Sequence, residues 1–116
     1  MDDTPRGQEP FTFLTNYCYV RYVIDPKKIP EFEQYARMWI PLVEHFGGIH
    51  YGYFLPSEGA NNIAMALFSF PSLSEYEKYR HGSALDENCK AAFKYAEEID
   101  CVMSYERSFF RPILTE

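Results

Sequence analysis

The sequence has no basic cluster. Eleven Lys and Arg stand against seventeen Asp and Glu, the net charge is −6, and the longest basic run is Lys27-Lys28. A nucleic-acid surface must neutralise phosphates, and an anionic membrane attracts polybasic segments, so neither partner is expected. Cysteine is sparse and odd in number: Cys18, Cys89 and Cys101, with no Cys-x-x-Cys pair. This argues against a disulfide framework and against a structural zinc site. No apolar run approaches the ~20 residues that a membrane helix needs. The start, Met1-Asp2-Asp3-Thr4-Pro5, lacks the basic and apolar regions of a secretory signal. The expected setting is therefore a reducing cytoplasm. There is no Gly-x-Ser-x-Gly elbow, Gly-rich phosphate loop, dinucleotide fingerprint, or His-x-x-x-His or Glu-x-x-His spacing. Neither a metal nor a cofactor is expected.

Aromatic residues are abundant. Ten Tyr, ten Phe and one Trp occur in 116 residues, and apolar residues make up 47 % of the chain. That length is one domain, and the composition is too apolar for a disordered chain. A domain this small has a limited interior. The surplus rings point to a second buried surface, at an interface or around a pocket.

Residues 1–12 read as a loose, polar arm and 13–116 as one domain. The β-branched and aromatic run from Thr15 to Ile24 predicts a strand, ended by Asp25-Pro26. Ile29, Phe32, Ala36, Trp39, Val43 and Phe46 form one stripe at helical spacing, so a helix runs to His45. Pro41 inside it predicts a kink. Gly47-Gly48 stops it. Two strands follow, 49–55 and 63–70, joined by a turn-rich hairpin connection. Ser72-Leu73-Ser74-Glu75 is a capping box. It opens a helix whose apolar side is Leu73, Tyr76 and Tyr79 and which Gly82 should break. Another helix spans about 86–100, with Cys89, Ala92, Phe93, Ala96 and Ile99 on one face. The last strand is 102–111. The order β-α-β-β-α-α-β, with right-handed crossovers, predicts an α+β, ferredoxin-like fold: a four-stranded antiparallel sheet with helices on one face.

Helices on one face should leave strands that alternate apolar with polar. The third strand does not alternate: Ala64, Ala66, Phe68 and Phe70 point one way, and Ile63, Met65 and Leu67 the other. In the first strand Cys18, Val20, Tyr22 and Ile24 oppose Tyr17, Tyr19, Arg21 and Val23. Both sides of the sheet centre read as buried, and the simplest cover for the second is a symmetric copy. A homodimer forming a barrel-like sandwich is expected.

The stretch Tyr22 to Pro112 resembles the NIPSNAP domain, a branch of the dimeric α/β-barrel superfamily. The features that carry the likeness are Asp25-Pro26-Lys27 after a tyrosine-bearing strand, a proline-containing helix ending His45-Phe46-Gly47-Gly48, Phe68-Ser69-Phe70-Pro71-Ser72-Leu73, and Tyr105-Glu106-Arg107-Ser108-Phe109-Phe110-Arg111-Pro112. Relatives usually carry Glu and Arg where Cys18 and Val20 align, a polar or histidine residue near Ala66, and Trp at Phe68. This chain carries none of those groups at the aligned positions. The resemblance implies the fold and a dimer, and it implies little biochemistry. The wider superfamily includes cofactor-independent monooxygenases and haem enzymes.

Several side chains are candidates for chemistry, each against a plainer role. His45 sits in the last helical turn, where a cation meets the helix dipole. His50 begins a strand whose register the sequence leaves open. Arg21, mid-strand beside Tyr19, needs a carboxylate, with Glu106 as one candidate, or an anionic ligand; Arg107 is weighed the same way. Trp39 packs on the sheet or forms a ligand wall. Tyrosines are core, interface or pocket lining, and Tyr22 also matches the tyrosine of the resembled family. The leading expectation is a cleft between helices and sheet for a small apolar or aromatic molecule. Tyr19, Arg21, Tyr22, Trp39 and His50 are its ligand-binding candidates, and Tyr22 and His50 its catalytic ones. If the chain is an enzyme, cofactor-independent monooxygenase-like oxidation or isomerisation is expected. The alternative is a non-catalytic interaction or scaffolding module.

Overall fold

The computed structural model describes residues 14–113, so the arm expected at 1–12 lies outside the described residues. The elements are β1 (Asn16–Ile24), a 3-10 turn (Pro26–Lys28), α1 (Ile29–His45), β2 (Ile49–Phe54), β3 (Ile63–Phe70), α2 (Leu73–Ser83), α3 (Glu87–Ile99) and β4 (Val102–Phe110). They build a four-stranded antiparallel sheet in the order β2-β3-β1-β4, which is the ferredoxin-like arrangement.

Local chemistry places the ends of these elements. The Asp25 carboxylate accepts the Lys27 N–H at 2.9 Å and starts the 3-10 turn. The Ser72 hydroxyl accepts the Glu75 N–H at 3.2 Å, so the serine half of the capping box is formed. Asp86 caps α3 by accepting the Cys89 N–H at 2.9 Å. Gly47, at φ +96°, turns the chain out of α1. The helix continues through Pro41, whose ring lies on its exposed side.

One expectation about α2 holds and one is corrected. Gly82 lies in the last turn, and the helix ends one residue beyond it, at Ser83. A Cβ at Gly82 would meet Phe46 Cε1 at 2.7 Å, so the glycine serves close packing against the end of α1. Leu73 is 53 % exposed, and the buried face is Tyr76, Tyr79 and Ser83. Leu73 occupies the first turn, ahead of the part of the helix that reaches the sheet.

The core lies between the helices and one face of the sheet. Cys18, Val20, Tyr22 and Ile24 from β1 meet Ala64, Ala66, Phe68 and Phe70 from β3, with Phe32, Trp39 and Val43 of α1 above them. Ala64 and Ala66 keep the floor low where rings must cross it. Tyr22 stacks on Tyr53 at 6.1 Å between centroids and meets the edge of Phe32 at 5.1 Å. Each such pair adds ~0.5–1.5 kcal/mol beyond the area it buries.

Gly48 sits under this core. A Cβ there would lie 2.8 Å from both Phe70 Cζ and Val43 Cγ1, and 3.0 Å from the Ser69 carbonyl oxygen. Three directions are closed, one of them by backbone. Gly48→Ala is expected to cost about 1–3 kcal/mol through overpacking. The urea midpoint measures this, and an unchanged midpoint would show that Phe70 and Val43 move aside freely.

Candidate functional site

The helices do not cover their face of the sheet evenly. Helix α3 packs beside α1, and the β4 half of the sheet keeps space above it. A cavity of about 640 Å³ results. Val20 and Tyr22 of β1 and Tyr105 and Arg107 of β4 form one wall; Trp39 and Phe93, from α1 and α3, form another. Antiparallel pairing builds the first wall, since Val20 lies opposite Arg107 and Tyr22 opposite Tyr105. The Trp39 and Phe93 rings meet edge to face at 5.0 Å and hold the helical wall together.

The sequence-derived candidates divide between three places. Tyr22 and Trp39 both line the cavity. His50 stands behind it, stacked on two lining residues, Tyr53 at 5.0 Å and Phe68 at 5.5 Å. Tyr19 and Arg21 point to the opposite face of the sheet, because side chains alternate along β1 and Val20 and Tyr22 point into the core. Arg21 lies across from Glu106 in the β1–β4 ladder, yet the ion pairs among the described residues all run along helices and none joins these two. Arg107, weighed beside Arg21 but left out of the candidate set, is the strand arginine that reaches the cavity. Tyr35, Tyr53, Tyr79, Phe93 and Tyr105 join it there. For Arg107 and Tyr105 the signal that could have found them is the β1–β4 register, which requires knowing which strands pair; the others come from α1, β2, α2 and α3, and only the packing of those elements brings them together.

Burial controls the ionisation of this site. Desolvation raises Tyr22, Tyr35, Tyr53 and Tyr79 above the usual phenol range, and their neighbouring hydroxyls add to or offset it. At neutral pH they are neutral phenols that can donate and accept hydrogen bonds but offer no phenolate base. Burial likewise pushes the Cys18 thiol up to about 11, against the lowering effect of Arg107, and Cys89 to about 11. All three cysteines are buried thiols, and none is poised as a nucleophile. Among the described residues no group of three His, Cys, Asp or Glu side chains converges as a metal site.

His50 is held neutral. Its Nδ1 accepts the Gly52 N–H at 2.9 Å, across an irregularity in the β2–β3 pairing, so the neutral ring carries its proton on Nε2. Burial lowers its pKa from 6.5 to about 4. The folded state thus resists a proton that the unfolded chain accepts. Stability is unaffected above pH 6.5 and falls as pH drops towards 4, by up to ~3 kcal/mol. His50→Asn keeps an acceptor for the Gly52 N–H and has nothing to titrate. Urea midpoints from pH 7 to 4 should decline less steeply in this variant than in the native chain. Equal slopes would remove His50 as a source of acid sensitivity.

The relatives of this fold agree with its geometry. A NIPSNAP family protein of unknown function from Agrobacterium tumefaciens superposes with a TM-score of 0.73 at 19% identity, over 84% of this chain and 87% of that one. An uncharacterised NIPSNAP-like domain protein from Burkholderia xenovorans gives 0.73 at 17% identity, over 88% of each chain. A putative antibiotic biosynthesis monooxygenase from Nitrosomonas europaea gives 0.67 at 8% identity, over 85% of this chain and 99% of that one. At these identities the likeness is one of fold. No curated protein matches the sequence. The NIPSNAP profile matches residues 17–115, from β1 past the end of β4, and the chain belongs to the NIPSNAP family.

Proposed function

We propose that the chain acts as a homodimer and that each subunit binds one small, largely apolar or aromatic molecule in the cavity between helices and sheet. The observation that carries this is the cavity itself. Its volume of about 640 Å³ falls in the usual range for ligand sites, and aromatic rings are prominent in its walls beside smaller apolar side chains and a few polar groups. A scaffolding module whose aromatics only fill core and interface has no use for such a space. The binding reading is favoured over a catalytic one, because the cavity tyrosines stay protonated and His50 stands behind the wall. Oxidation or isomerisation without a cofactor would then depend on the reactivity of the bound molecule, with Tyr22 as a hydrogen-bond donor. Three free thiols fit a reducing, cytoplasmic setting. No helix among the described residues is long and apolar enough to cross a membrane.

The dimer is supported by the other face of the sheet. Tyr51, Phe54, Met65 and Phe110 are each more than a third exposed there. Tyr17 stacks on Tyr51 at 5.8 Å, and Tyr19 leans on Phe110 at 6.2 Å, so the patch is continuous across the strands. Such a patch is costly to leave in water. A second copy placed about a two-fold axis covers both patches with one contact.

Sedimentation equilibrium is expected to give twice the 13.7 kDa chain mass. Met65→Lys, which sets a charge in the patch beside Arg21, should give the chain mass with an unchanged circular dichroism spectrum. A native monomer would overturn the dimer. The cavity has its own reporter, since Trp39 is the only tryptophan. Naphthalene-2-carboxamide is expected to shift Trp39 emission saturably. Ala96→Phe, which fills the cavity from α3, should abolish the shift. A shift that persists in this variant would place binding elsewhere.

A further inference from the structure

Two residues that line the cavity each carry a buried N–H with no acceptor among the described residues, Arg107 at Nε and Trp39 at Nε1. A buried N–H without an acceptor is costly, and the cost is larger on a charged group. A guanidinium cannot escape by losing its proton.

The surroundings of Arg107 leave its charge unanswered. The groups that act on it are Tyr76, Cys18, Tyr22 and Tyr105, with Tyr35 and Tyr79 also in its field. All are phenols or a thiol. Arg107 lies over the Tyr105 ring at 5.6 Å, which eases the cation but supplies no anion. Glu97 is the one carboxylate among the described lining residues, and it forms no ion pair with Arg107 or with Arg80. Arg80 instead donates to the Tyr76 hydroxyl at 2.9 Å. Two guanidinium groups and one carboxylate therefore line a cavity in a chain of net charge −6. The local sign opposes the global one.

We infer that the molecule bound in this cavity is an aromatic or similarly apolar carboxylate, whose carboxylate accepts from Arg107 while its apolar body lies against Trp39 and Phe93. A planar guanidinium fork matches the two oxygens of a carboxylate. The neutral Tyr22 phenol belongs to the same cavity lining. The apolar walls suit one ionised head on a ring-sized body, and the second guanidinium, Arg80, is already engaged by the Tyr76 hydroxyl. This inference rests on the cavity being a ligand site, and it moves the anion-binding role from Arg21 to Arg107.

The test compares two probes of nearly equal shape, naphthalene-2-carboxylate and naphthalene-2-carboxamide, by titration of Trp39 emission at pH 7. The carboxylate is expected to bind at least tenfold more tightly, as charge-assisted hydrogen bonds exceed neutral ones by that order. Arg107→Gln should bring the two affinities within about threefold by lowering only that of the carboxylate, and Arg107→Lys should restore part of the preference. The native comparison needs no variant, so it stands even if an Arg107 substitution fails to fold. Equal binding of the two probes by the native protein would overturn the carboxylate inference and leave the cavity as a site for neutral molecules. Binding of neither probe would count against both the inference and the cavity reading. A preference for the carboxylate that survives in folded Arg107→Gln would overturn the role of Arg107.

Discussion

The contact set around Tyr22 holds the rest of the structure in place. Its ring lies across from Ala64 on one neighbouring strand and Tyr105 on the other. It touches Phe32 and Tyr35 of α1 and Tyr53 of β2. One side chain thus ties the central strand to both of its neighbours, to an edge strand and to the longest helix. This works only because Ala64 and Ala66 are small, and because Phe32 and Tyr53 themselves meet edge to face at 5.9 Å. A larger residue at either alanine would lift the rings and push α1 off the sheet.

That packing also makes the cavity. Rings are rigid and fill space in large units, so three helices meeting a twisted four-stranded sheet through rings leave a remainder. Here the remainder falls over β4, where α3 leans on α1 instead of the sheet. The same pairing that sets Tyr105 beside Tyr22 sets Arg107 beside Val20, so the space acquires a cation as a consequence of register. Burial then keeps the surrounding tyrosines and Cys18 protonated, and none of them neutralises it. Hydrophobic packing and electrostatics are linked in this site: the rings that stabilise the fold also dry the environment of the charge.

Much of the fold was legible along the chain. The bounds of β3 follow from an apolar run broken only by Ser69, and those of α1 from its stripe and the glycines after it. Local chemistry decides such features, and it is written in neighbouring residues. Gly82 shows the limit. As punctuation it marks the end of α2 to within one residue, but nothing local shows that a Cβ there would strike Phe46, thirty-six positions earlier in the chain. Leu73 fits the helical period but lies too early in α2 to reach the core.

The sequence by itself determined the elements, the two-sided character of the sheet, the absence of familiar catalytic motifs and the aromatic excess that a pocket requires. These depend on composition and on periods of two and of about 3.6 residues, which any stretch of chain displays without its partners. Only the tertiary structure decided that Arg107 reaches the cavity while Arg21 faces away from it, and that His50 stands behind the wall. Each of those outcomes turns on strand pairing. A shift of one residue in register moves every side chain of a strand to the other face, and no local pattern records which strand a residue will lie beside.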